Sequence, residues 1–348
     1  MVAAALLCGG ITARADEPWQ TPGTPAILTQ PVVFENAGAV LRGTLYRPAA
    51  SRPVPAVVAF HSAGVGTAGA ALFAHLRQGL PQMGVAVLLY DRRGEGASTG
   101  KADVSYETLA DDGIAGARAI ARLPGIDGRR IGYWGLSQGG WLAVFAAARD
   151  PLAAFAISVS APLVTPEQQM DFAMANRLLV NGYPQSDVDA MLAARKAWTG
   201  YLRGDVPRAT AVAALAAIDR KPWFDLMYMP SSKELTTDPE TSSWRTQMDD
   251  NPLAALARVK APVLFVYGGS DPWIPVAQTI ERLGLLARSN PSVEYAVIAG
   301  ADHAMRFVPK ETMDVSPAAL QRDVPEASAY YMLLASWLTR QLQQNVAP

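Results

Sequence analysis

Between residues 54 and 159 short, largely apolar runs alternate with longer segments of helical spacing, and nothing else in the chain restricts the fold as much. Residues 56–60, 85–90, 130–134 and 155–159 read as strands, with helices expected at 70–80, 106–122 and 139–148. A strand without polar alternation is buried on both faces. The pattern therefore predicts a mostly parallel central sheet covered by helices on both sides, an α/β architecture. Ahead of it, 32–35 and 40–46 flank Asn36-Ala37-Gly38 as an antiparallel hairpin.

The alternation stops at Leu163. From 163 to 255 the text is helical, contains many Met and Trp residues and lacks strand patterning, so an inserted helical cap is expected there. Strands then return at 263–267 and 293–298, with helices at 276–287 and 326–343. The expected organisation is a leader at 1–15, the first part of the core at 16–162, the cap at 163–255 and the second part of the core at 256–348.

Half of the 348 residues are hydrophobic and 18% are charged, as in a globular protein. Lys plus Arg (30) and Asp plus Glu (31) nearly cancel, so there is no basic field for nucleic acid. The apolar stretch 2–11, followed by Ala13-Arg14-Ala15, matches a signal-peptide core and an A-x-A cleavage site, although no basic residues precede it. Cleavage after Ala15 and a periplasmic or secreted location are expected. Such cleavage would remove Cys8, the one cysteine, and leave no disulfide, thiolate metal site or cysteine nucleophile. Past the leader no run reaches the about 18 apolar residues of a membrane span. Oligomeric state is left open.

Gly135-Leu136-Ser137-Gln138-Gly139 matches G-x-S-x-G between an expected strand and an expected helix, which is the context this motif requires. A serine raised on a sharp strand-to-helix turn needs small neighbours, and Ser137 is the expected nucleophile. Its hydroxyl needs a base, and imidazole is the usual one. Of the three histidines, His75 falls inside a helix and His61 precedes the serine, leaving His303 just after the last strand. Asp271, in Gly268-Gly269-Ser270-Asp271-Pro272 at another strand end, is the expected carboxylate partner; Asp302 is its rival.

These residues resemble the α/β-hydrolase superfamily, in particular its dienelactone-hydrolase and serine-aminopeptidase-like branches. The resemblance is carried by His61-Ser62-Ala63-Gly64, 91–96, 135–139, Asp271 and His303, and leaves the cap outside. It implies the α/β-hydrolase fold and an oxyanion hole made by the backbone N–H groups of Ala63 and Gln138, with Ser62 the alternative to Ala63. It also implies bracing roles for His61 and for the loop containing Arg92. The expected reaction is hydrolysis of carboxylic esters of small molecules through a Ser-His-Asp acyl-enzyme, with no cofactor and no metal. Met170, Met174, Trp198, Tyr201, Trp223, Phe224, Met227 and Tyr228 of the cap are expected to wall the substrate pocket, Trp198, Trp223, Phe224 and Met227 foremost, with the cap's own core as the competing reading. Amide or peptide cleavage is the near alternative, for which Glu167 or Arg177 could anchor a peptide terminus.

Two readings of other classes stand beside it. Gly64-Val65-Gly66-Thr67-Ala68-Gly69, with Asp91 further on, also matches the dinucleotide fingerprint of an NAD-dependent oxidoreductase. A binding protein that kept the fold without its chemistry is the other.

Overall fold

In the computed structural model, which describes residues 26–64, 66–307 and 325–344, Ala37 and Gly38 reverse the chain with φ of 44° and 75°. A two-residue loop with both residues at positive φ matches the twist of the strands it joins. It closes β1 (Ile27–Asn36) on β2 (Ala39–Pro48) as the expected hairpin, with both strands longer than expected. The leader at 1–15 lies outside the described residues.

The expected strands form one eight-stranded sheet in the order β1-β2-β4-β3-β5-β6-β7-β8. Here β3 is Val54–Phe60, β4 Ala86–Tyr90, β5 Ile126–Leu136, β6 Ala156–Val159, β7 Val263–Gly268 and β8 Val293–Ile298. From β4 to β8 neighbouring strands are parallel; β2 runs antiparallel to β4. The two faces of β3 show why the strand is apolar throughout. Ala56, Val58 and Phe60 pack with helices α2 (Tyr106–Ile120) and α3 (Gln138–Arg149), while Val57 and Ala59 pack with α1 (Ala74–Gln82) and the C-terminal helix Ser328–Gln344.

Between β6 and β7 run α4 (Pro166–Val180), α5 (Gln185–Arg203), α6 (Arg208–Ala216), α7 (Ser243–Gln247) and α8 (Pro252–Leu256). A capping box fixes the start of α4: Thr165 accepts from the Gln168 backbone N–H, and the Gln168 side chain accepts from that of Thr165. Met174, Leu178, Met191, Trp198 and Trp223 are buried in one cluster with the apolar side chains of α2 and α3. The helices thus continue the main core. After β7 comes α9 (Val276–Ser289), whose Leu283 joins that same cluster.

Candidate active site

Ser137 stands at the junction of β5 and α3 with φ 58° and ψ −124°. Such a backbone costs a non-glycine residue on the order of 1–3 kcal/mol and persists only where its surroundings enforce it. The Ser137 N–H donates to the Val159 carbonyl (2.8 Å), and its own carbonyl accepts from Gly140 N–H (2.8 Å). A Cβ on Gly135 would lie 1.9 Å from the Gly139 carbonyl oxygen, and one on Gly139 would lie 2.7 Å from that of Phe60. The two glycines flanking the serine are therefore required by backbone contact.

Asp271 and His303 come from the ends of β7 and β8. Gly268 lets these two loops meet, because a Cβ there would lie 2.3 Å from the Asp302 carbonyl oxygen. His303 Nδ1 and Asp271 Oδ2 are 2.7 Å apart, and Asp271 Oδ1 accepts from the Trp273 backbone N–H at 2.8 Å. The carboxylate is fully buried, the imidazole nearly so. Burial disfavours the imidazolium, but the Asp271 charge and hydrogen bond, with a smaller pull from Asp302, outweigh it and hold the His303 pKa above its ordinary 6.5. The rival Asp302 is used elsewhere: Oδ1 accepts from the N–H groups of Ala304 and Arg306, and Oδ2 pairs with the Arg306 guanidinium at 3.1 Å.

Ser137 and His303 line the same cavity of about 470 Å³, together with Ser62, Ala63, Gly64 and Gln138. Gln138 is the first residue of α3, where a backbone N–H has no intrahelical acceptor. Its side chain is clamped: Arg92 Nη1 donates to Oε1 (2.7 Å), and Nε2 donates to the Tyr106 hydroxyl (3.1 Å). His61 is buried, pairs with the Tyr90 carbonyl, and packs edge-on against the Tyr90 and Phe73 rings at 4.8 and 5.8 Å. Burial pushes its pKa down to about 4, so the ring is a neutral brace near pH 7.

The glycine loop that matches the dinucleotide fingerprint is occupied from within. Asp91 accepts from the backbone N–H groups of Ala68 and Ala97, both at 2.8 Å, so both of its oxygens are engaged. A Cβ on Gly66 would meet the Glu95 carboxylate at 2.5–2.9 Å, which puts an anion where a pyrophosphate would approach. Helical structure starts at Ala71, as a 3-10 turn (Ala71–Phe73) that runs on into α1.

The pocket expectation is corrected in part. Trp198, Trp223, Phe224 and Met227, with Met174 and Tyr201, are absent from the cavity wall. Trp198 stacks on Trp244 at 6.3 Å; Trp223 and Met227 are buried among the helices, and Phe224 packs against that core. The helices between β6 and β7 must bury their own apolar faces, and these four side chains serve that purpose. Of the expected wall residues Met170 and Tyr228 do line the cavity, and Trp141, Trp244 and Trp273 join them, with Arg177 as a cation among them. Trp141 lies one helical turn beyond Ser137, and Trp273 two residues beyond Asp271, so adjacency to the motif residues could have identified both. No local pattern marks Trp244.

The profile of the family described as X-Pro dipeptidyl-peptidase (S15 family) matches residues 37–304, which takes in Ser137, Asp271 and His303. The chain belongs to this family. It is a hydrolase of the α/β-hydrolase fold. The thiohydrolase aneE of Aspergillus aculeatus is 33% identical over 129 residues, covering 36% of this chain and 39% of that protein. The polyketide transferase claH of Penicillium crustosum is 32% identical over 129 residues, covering 36% and 38%. The chain thus matches less than two-fifths of the length of either relative. An esterase of Pyrococcus furiosus shares the fold with a TM-score of 0.58 at 16% identity, over 91% of both chains. Among the described residues no group of His, Cys, Asp and Glu could hold a metal ion, and no helix is long and apolar enough to cross a membrane.

Proposed function

We propose that this hydrolase cleaves carboxylic esters, thioesters included, by two-step acyl transfer. Ser137 attacks the carbonyl, His303 takes its proton and returns it to the leaving group, and water resolves the acyl-enzyme. Asp271 holds the imidazole tautomer, and the N–H groups of Ala63 and Gln138 receive the oxyanion. The observation that carries this reading is the buried Asp271–His303 hydrogen bond on the wall of the cavity that Ser137 also lines.

Family membership favours a second reading, removal of X-Pro dipeptides. That reaction requires an anchor for a free N-terminal ammonium, and the cavity is lined by no Asp or Glu among the described residues. Glu167, once a candidate anchor, pairs with Arg203. The aromatic walls suit an apolar acyl group better, and the aneE relative, by its name a thiohydrolase, extends the substrate range to thioesters. Export to the periplasm or beyond belongs to the same proposal, on the strength of the apolar stretch before Ala15.

A fluorophosphonate probe should label the wild type and not Ser137→Ala. A screen of 4-nitrophenyl esters, acyl thioesters and X-Pro anilides should show ester and thioester turnover that falls by about 10⁴-fold or more in that variant. Hydrolysis that survives in Ser137→Ala contradicts the mechanism, and anilides cleaved faster than esters favour the second reading.

A further inference from the structure

Arg177 is the one permanently charged side chain on the wall of this cavity among the described residues. Arginine is charged at every working pH, so placing it beside Trp and Tyr walls needs a reason. The acids of its own helix do not supply one. Asp171, six residues earlier on α4, pairs with Arg195 at 2.6 Å, and Glu167 is taken by Arg203. Among the described residues the Arg177 guanidinium makes no ion pair; it lies over the Tyr228 ring, 5.5 Å from its centroid. Such stacking holds a cation while leaving its N–H edge free to donate.

The guanidinium is also held in a defined relation to His303. From α4, Gln169 Nε2 donates to the Trp273 carbonyl (2.7 Å) and Asn176 Nδ2 to the Pro272 carbonyl (2.8 Å). These two bonds pin the helix to the loop that carries Asp271. The rings continue the link: Tyr228 packs on Trp273 (6.2 Å), and Trp273 on His303 (6.3 Å). Tyr228 is 57% exposed, which sets the Tyr228–Arg177 pair at the cavity's open rim. The steps from His303 through Trp273 and Tyr228 to Arg177, 6.3, 6.2 and 5.5 Å, suit a substrate that carries several bonds between its scissile carbonyl and a charged group.

We infer that Arg177 is a specificity residue that binds a carboxylate on the substrate, so that the preferred substrates are anionic esters with an apolar stretch between scissile carbonyl and carboxylate. The inference rests on the ester-hydrolase reading and names its substrate class. A planar guanidinium with free N–H groups meets a carboxylate through two parallel hydrogen bonds, and the apolar walls accommodate the methylenes between.

The test compares mono-4-nitrophenyl esters of glutaric, adipic and suberic acids with the methyl-capped diesters of the same acids. A second arm, 4-carboxyphenyl butyrate against phenyl butyrate, places the carboxylate on the leaving group. In the wild type at least one arm should show kcat/KM about 10- to 100-fold higher for the anionic member, mostly through KM. Arg177→Met should bring that ratio to about one, and Arg177→Lys should restore part of it. A wild-type ratio at or below one in both arms, or a ratio unchanged in Arg177→Met, overturns the inference. To separate it from the chemistry, calorimetry of mono-4-nitrophenyl adipate binding is run on Ser137→Ala and on Ser137→Ala/Arg177→Met. Saturable binding only in the former supports the carboxylate site even if no ester is turned over, and equal or absent binding in both overturns it.

Discussion

Arg92 reaches from the loop after β4 to Gln138 at the start of α3 and donates from Nη1 to Oε1 at 2.7 Å. The residue whose backbone N–H is proposed to receive the oxyanion is thereby fixed from outside its own helix. Tyr106 closes the clamp from the other side of the amide.

Loss of that clamp should loosen the proposed oxyanion donor without removing it. Removing such a donor outright costs about 10²- to 10³-fold in kcat. Arg92→Met is therefore expected to lower kcat by about 10-fold with KM changed little, and steady-state kinetics on a 4-nitrophenyl ester measure both. Tyr106→Phe should have a smaller effect of the same kind, because it removes one acceptor from the amide.

The acid limb of the pH–rate profile should lie above pH 6.5. His303 acts as base only when neutral, and its pKa is held above 6.5 by Asp271, so activity is lost as pH falls through that raised value. The stability contribution has the opposite sense. A raised folded-state pKa stabilises the fold fully below the unfolded value and loses that stabilisation as pH rises through the folded one. Rate profiles of kcat/KM and urea midpoints taken across the same pH range test both signs.

Asp271→Asn and Asp302→Asn should separate cleanly. The first removes the carboxylate from Nδ1 and is expected to lower kcat by about 10⁴-fold. The second breaks a buried pair with Arg306 and the N–H bonds of its own turn, so it should lower the urea midpoint and leave kcat within about 10-fold. Equal losses of kcat in the two variants would mean that the partner of His303 is misassigned.

Asp112 and Arg93 form a buried pair, with side chains 1% and 4% exposed. Arg93 Nε donates to Asp112 Oδ2 (2.7 Å), and Asn36 Nδ2 to Oδ1 (2.7 Å), joining α2, the loop after β4 and the first hairpin. Asp112→Ala leaves a guanidinium buried without its charge partner and should destabilise by about 3–5 kcal/mol, read from urea unfolding. Asp112→Asn, which can still accept one of these bonds, should lose less.

Gly135→Ala should be worse tolerated than any exposed glycine replacement, since its methyl would overlap the Gly139 backbone. A loss of about 3 kcal/mol or more, or failure to fold, is expected, and circular dichroism with urea unfolding measures it.

Local chemistry made much of this protein readable from its sequence. A strand buried on both faces must be apolar along its length, so β3 to β7 declared themselves, and the hairpin turn at Ala37-Gly38 did the same through its small residues. Ser137 was legible because a strained turn demands glycine at 135 and 139, which are its near neighbours in the chain. Asp271 and His303 each followed a strand end, and the scarcity of histidine left few choices. Tertiary structure decided what depends on how distant helices are rotated against the sheet. Trp198 and Trp244 look alike in sequence, yet only Trp244 lines the cavity, because a helix with apolar residues on several faces does not specify which face meets the site. The same holds for Arg177: nothing in its local sequence marks it as the cation on the cavity wall, whereas Arg195 and Arg203 on the next helix meet Asp171 and Glu167.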